Sequence, residues 1–270
     1  MHLDLSADGH VHTSLCGHAT GTMEDYVKAA INKGLKRLTF LEHLEADIDY
    51  SPRTWLTEKD FDYYFSEGER LRTCYGKQLH IGLGVEVGYN PECPEVLVKR
   101  LASRTWDRIG LSYHFHRLPG SDGHLNLLSR KRENLEIMER YGSEELLCRY
   151  FDALIEAVAV IPATVLCHLD AGLRHLPGRR FTDSHHRQIN VLLAAVSRAG
   201  MALEINTSGY DLHGVPFPPA DIIERARRLN IALIPGSDAH QPSDVGRYFE
   251  RLPGLINSAP DPSPPSEKQH

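Results

Sequence analysis

Asp8-Gly9-His10-Val11-His12-Thr13-Ser14-Leu15-Cys16-Gly17-His18 is the stretch on which the reading of this chain turns. The apolar run just before it predicts a first strand over 3–7. In extended backbone residues two apart point the same way, so His10 and His12 send two imidazoles to one side of the strand's end. His18 returns after a small loop at Gly17. Neutral imidazole is the commonest metal ligand, so the cluster points to a metal site. A lone H-x-H fits incidental histidines on a polar strand end equally well, and the rest of the chain has to decide.

Outward from that stretch, strands and helices alternate. Thr22 caps a helix with acidic residues in its first turn, and Gly34 closes it. Further strands are predicted over 37–41, 79–87, 108–113, 164–167, 201–205 and 231–234. Helices are predicted over 58–75, 94–102, 143–158, 184–199, 219–229 and 245–252. The Arg-, Lys- and Gly-rich insertion 117–141 is longer than an ordinary connection and reads as an active-site loop or lid. Such alternation means a parallel sheet, and the expected α/β fold is one closed or nearly closed seven-stranded, TIM-like β/α barrel over 1–257. An open doubly wound sheet is second, because no glycine-rich dinucleotide loop follows the first strand. The Pro-rich stretch 258–270 reads as a disordered tail.

The formal net charge of −6 argues against a broadly basic nucleic-acid-binding surface. Five scattered cysteines without a C-x-x-C pair argue for reduced thiols and a cytoplasmic setting. No signal segment opens the chain, and no apolar run reaches the ~20 residues a membrane span needs. Oligomeric state is not encoded in any pattern here.

Sixteen histidines are the unusual feature, and their placement is informative. His10 and His12 follow strand one, His43 strand two, Glu86 strand three, His114 strand four and His168 strand five, while Asp238 and His240 follow strand seven. Barrel enzymes build their sites on this C-terminal rim. His2, His80, His124, His175, His185, His186, His213 and His270 read as background. So many imidazoles and carboxylates exceed the four ligands of one zinc and suit two or three divalent ions, Zn, Mn or Fe. Cys16 and Cys167 read as packing residues.

Asp8-Gly9-His10-Val11-His12, Cys16-Gly17-His18-Ala19, Glu42-His43, Gly84-Val85-Glu86, His114, Cys167-His168-Leu169-Asp170, Glu204-Ile205-Asn206-Thr207-Ser208-Gly209 and Gly236-Ser237-Asp238-Ala239-His240 together resemble the PHP (polymerase and histidinol phosphatase) superfamily, nearest its histidinol-phosphatase branch. The resemblance implies a distorted seven-stranded barrel with a trinuclear metal centre. It implies one ion on His10, His12, Glu86 and Asp238, a second on Glu86 as bridge with His114 and His168, and a third on His18, His43 and His240. Tyr210-Asp211 stands where the branch usually carries a basic pair.

Clustered cations lower the pKa of a bridging water and clamp phosphoryl oxygens, so the expected reaction is attack of a metal-bridging hydroxide on a small phosphate monoester, with L-histidinol phosphate foremost. Arg117, Arg174, Arg179, Arg180 and Arg247 are the candidate phosphate anchors. Asp170 is a candidate proton donor to the leaving alkoxide, or an orienter of a ligand imidazole. Glu42 and Glu204 read as supports behind the ligands. The alternatives are a phosphoesterase acting on nucleotides or oligonucleotides, an amidohydrolase-like enzyme, and a non-catalytic metal-binding module.

Overall fold

Residues 3–257 are described by a computed structural model; the proposed tail, 258–270, lies outside them. In chain order the elements are β1 (Ala7–Val11), α1 (Met23–Asn32), β2 (Arg37–Leu44), α2 (Glu58–Tyr75), β3 (His80–Gly88), α3 (Pro94–Ala102) and β4 (Ile109–Ser112). Then come β5 (Phe115–Arg117), β6 (His124–Asn126), α4 (Arg132–Tyr141), α5 (Ser143–Val160), β7 (Val165–Leu166), α6 (Asp183–Arg198) and β8 (Ala202–Asn206). The last are α7 (Gly209–His213), α8 (Ala220–Arg228), β9 (Leu233–Gly236) and α9 (Leu252–Asn257).

Seven strands form one parallel sheet in the order β1-β2-β3-β4-β7-β8-β9. The sheet curls until its ends meet. The His12 N–H donates to the Ala239 carbonyl at 2.9 Å and the Asp238 N–H to the His10 carbonyl at 2.9 Å. The Asp8 carboxylate ties the seam, accepting from the Ser237 N–H at 3.0 Å, the Ser237 hydroxyl at 2.5 Å and the Gly246 N–H at 2.7 Å. The expected barrel is therefore present, and the open sheet is excluded.

Helix ends follow from local chemistry. Thr22 with Asp25 and Thr57 with Asp60 form reciprocal capping boxes at the starts of α1 and α2. Gly34, with φ 74°, supplies the left-handed residue beyond α1. Side chains alternate across the strands. Leu83, Val85 and Val87 are buried in the core between sheet and helices, and Gly68 of α2 lies so close to Leu83 that a Cβ there would meet it at 2.5 Å. A separate apolar plug of Leu41, Val165 and Cys167, with Ala202 and Ile234 against it, fills the barrel interior. One step further along, the same inward face carries Glu86, Glu204 and Asp238.

Three expectations need correction. The first strand is Ala7–Val11 rather than 3–7, because Leu3 and Leu5 are only partly buried while His10 and Val11 are enclosed at the end of β1. The insertion is not a loop: β5 and β6 form an antiparallel hairpin, and α4 follows it. The helix expected over 245–252 is instead a 3-10 turn, Phe249–Arg251, leading into α9.

Candidate metal centre

The barrel brings His10, His12, His18, His43, Glu86, His114, His168, Asp238 and His240 to one rim. Glu86, at the centre, is fully buried. Its Oε2 lies 3.5 Å from His10 Nε2, 3.5 Å from His12 Nε2 and 3.0 Å from His43 Nδ1. Its Oε1 lies 2.7 Å from His168 Nε2 and 3.3 Å from His114 Nε2. Asp238 Oδ1 stands 3.3 Å from His12 Nε2 and 3.8 Å from His10 Nε2. At the outer edge the Nε2 atoms of His18 and His240 are 2.9 Å apart.

This donor set fits cations. His10 turns Nδ1 to Glu204 Oε1 at 2.7 Å, so its proton belongs there and Nε2 is a bare lone pair. That lone pair faces the Nε2 of His12 at 2.9 Å and two carboxylate oxygens. His18 and His240 likewise turn Nδ1 to the main-chain oxygens of Cys16 (3.4 Å) and Asp238 (3.0 Å), leaving their Nε2 atoms nose to nose. His12 Nδ1, His43 Nε2 and Glu86 Oε2 are buried without a hydrogen-bond partner. Acceptor facing acceptor in a buried site is repulsive unless a positive ion stands between. Ligand atoms of His12, His43 and His240, of His10, His12 and Glu86, and of His43, Glu86 and His114 each gather within 4.8 Å.

Electrostatics push these groups in opposite directions. Burial works to raise the Glu86 carboxyl, but the imidazoles of His114, His10 and His43 hold it well below the usual carboxylate range. Burial and the neighbouring His43 and His240 push the His18 imidazole down to about 3. For His114, burial is outweighed by Glu86 and Glu45, which push it up to about 10.

Carboxylates behind the ligands fix their rings. Glu204 holds His10 and also accepts the His168 N–H at 2.8 Å; Glu45 accepts from His114 Nδ1 at 2.8 Å. Glu42 accepts from the Thr13 N–H at 2.9 Å and its hydroxyl at 2.5 Å, bracing the loop after β1. Two glycines make the room: a Cβ at Gly236 would sit 2.0 Å from Glu204 Oε1, and one at Gly88 would sit 2.0 Å from Glu45 Oε1. His168 and Asp238 have φ of 23° and 50°, a strained backbone of the kind that marks functional sites. Cys167 packs within 4.8 Å of both His10 and Glu204.

Beside the cluster lies a cavity of about 430 Å³, whose wall includes His18, His43, Glu86, His114, His168, Asp238 and His240. Of the five candidate arginines only Arg174 lines it, with Nη1 3.5 Å from Asp238 Oδ2. Arg117 pairs with Glu92 on the hairpin, and Arg180 is exposed away from the cavity. Arg179 donates to the carbonyls of Asp170 and Gly172 and lies over Phe181. Arg247 donates to the carbonyls of Ser237 and Asp238 and pairs with Asp211, so it straps the last strand loop. Asp170 does not reach the cavity wall either. The turn closed by the Ala171 N–H on the His168 carbonyl leaves it buried beside Tyr150 and Arg179, where burial pushes its carboxyl up to about 7.

Sequence reasoning missed Glu45, Arg130, Lys131 and Tyr50, and counted His175 as background; all five line the cavity. Arg130 and Lys131 sit in the insertion, whose Arg and Lys content was the available signal.

The PHP domain matches residues 8–208 of the chain. A Deinococcus radiodurans protein named "Probable histidinol-phosphatase" is 30% identical over 90% of this chain and 89% of its own length. A Bacillus subtilis protein named "Histidinol-phosphatase" is 27% identical over 90% of this chain and 96% of its own length. Among solved structures, histidinol phosphate phosphatase from Lactococcus lactis, complexed with zinc, L-histidinol and phosphate, superimposes with a TM-score of 0.72 at 20% identity over 94% of this chain and 93% of that one.

Proposed function

The chain belongs to the PHP-domain family, and from that membership we propose that it is a metal-dependent phosphomonoesterase converting L-histidinol phosphate to L-histidinol and phosphate, a step of histidine biosynthesis. One observation carries the reading: bare imidazole and carboxylate donors converge on a cavity that also presents the Arg174 guanidinium. We assign His10, His12, Glu86 and Asp238 to one divalent ion, Glu86, His114 and His168 to a second, and His18, His43 and His240 to a third. Zinc is favoured by the Lactococcus lactis relative, with manganese and iron suited to the same donors. Such ions, when bound, stabilise phosphoryl oxygens as Lewis acids and make a water acidic enough to attack phosphorus near neutral pH.

The protein's part is placement. Glu86 presents an oxygen to each side of the centre, and Glu204 and Glu45 fix the proton on the far nitrogen of His10 and His114, so the near nitrogen stays free. Arg174 offers its fork to phosphate oxygens turned away from the cluster. A cavity of this size, walled in part by the β5–β6 hairpin and the segment before α4, suits a small ester rather than a polynucleotide. All five cysteines are free, which fits a reducing compartment, and among the described residues no helix is long and apolar enough to cross a membrane.

The test is phosphate release from L-histidinol phosphate by zinc-loaded protein, measured beside a nucleoside monophosphate and an aryl phosphate. Preference for L-histidinol phosphate is expected. Turnover of a lactone or amide with every phosphate ester inert would overturn the reading.

A further inference from the structure

The insertion 117–141 is tied down rather than loose. The His124 N–H donates to the Asp49 carbonyl at 2.9 Å, the Leu127 N–H to the His114 carbonyl at 2.8 Å, and the Leu173 N–H to the Leu127 carbonyl at 2.8 Å. Asn134 Nδ2 donates to the Tyr50 hydroxyl at 3.1 Å, and the Lys131 ammonium rests 5.2 Å above the Tyr50 ring. These contacts set the short segment before α4, with Arg130 and Lys131, into the cavity wall.

The charges there are unbalanced. Arg130 makes no ion pair or hydrogen bond to another described side chain, and the Nε of Arg174 is buried without a partner. Arg132, close to Arg130 in the chain, is by contrast paired with Glu136. Arg130, Arg174 and His175 line the same cavity, and burial, then Arg174 and Arg130, push the His175 imidazole down to about 4. The segment also opens α4, where Ser129 Oγ accepts the Lys131 N–H but no side chain caps the helix.

We propose that the segment before α4 supplies the second half of the phosphate-holding site: Arg130, with Lys131 beside it, lines the same cavity as Arg174, and together they hold the substrate's phosphoryl oxygens that the metal centre leaves free. This rests on the phosphomonoesterase reading. Arg130 and Lys131 are both exposed, so they act on capture of a dianion more than on the bond-breaking step.

Inorganic phosphate is the probe, titrated calorimetrically into the zinc-loaded full chain, with L-histidinol phosphate kinetics in parallel. Arg130→Gln should weaken phosphate binding about tenfold, the loss of one charge-assisted contact, and raise KM similarly with kcat within about threefold. Lys131→Met should weaken binding less and flatten its dependence on salt. Arg132→Gln, one residue on and paired with Glu136, should match wild type. Unchanged phosphate affinity in Arg130→Gln, or an equal loss in Arg132→Gln, overturns the proposal. If wild type hydrolyses no phosphate ester, the enzymatic reading fails, while the calorimetric comparison still decides whether Arg130 holds an anion.

Discussion

The Nδ1 of His114 stands 2.8 Å from Oε1 of Glu45, and that carboxylate oxygen lies over the bare Cα of Gly88, where a Cβ would come within 2.0 Å of it. A methyl group at position 88 therefore reaches His114 through Glu45. Gly88→Ala should lower affinity for zinc by roughly 10- to 100-fold, the usual cost of losing such a supporting carboxylate, with the circular dichroism spectrum of the barrel retained. Equilibrium dialysis checks this. Wild-type affinity in the variant would remove Glu45 from the support of the centre.

Metal analysis of gently purified protein should find two to three divalent ions per chain. Chelation should abolish phosphate release, and zinc should restore it. Bound ions also stabilise the native state by mass action, by ~2.7 kcal/mol for a free concentration one hundred times the Kd. The melting temperature should therefore fall on chelation. Full activity after exhaustive chelation would remove the ions from the reaction.

Arg174 and Arg180 make a matched pair of tests. Arg174 lines the cavity beside Asp238, whereas Arg180 is exposed away from it. Arg174→Ala should raise KM for the phosphate ester at least tenfold. Arg180→Ala should leave both steady-state constants unchanged. Equal effects would mean the cavity does not discriminate between them.

Acid should weaken the metal-free fold partly through His175. Burial, then Arg174 and Arg130, depress its folded pKa to about 4 from 6.5. Below the ordinary value the unfolded chain binds a proton that the native state refuses, so stability is full above 6.5 and falls with pH toward 4. Urea unfolding in chelator at pH 7 and pH 4.5 should show a smaller loss for His175→Gln than for wild type. Identical losses would show that His175 does not carry this proton.

Where a boundary rests on local chemistry, the chain declares it. Thr57 with Asp60 and the Pro at the start of α3 mark both helices to the residue, and strand-end placement finds eight of the nine candidate donors, His18 coming from the loop after β1. β1 is misframed by its own apolar prefix, because Leu3 and Leu5 are only partly buried while His10 is enclosed. Arginine is the least readable residue. Arg117, Arg179, Arg180 and Arg247 share loops with the rim, but a long side chain's direction is set by partners such as Glu92 and Asp211 that are remote in sequence. Glu45 is missed for a similar reason, since only its contact with His114 shows its part in the site.

The seam between β1 and the loop after β9 joins the earliest and latest parts of the barrel, with Asp8 fastened to Ser237 and Gly246. A ribosome making this chain releases His10 and His12 long before His240. No nascent chain can assemble the complete rim before His240 has emerged, so capture of all the ions waits on that last donor, and every fragment cut short of residue 240 carries an unfinished set of donors.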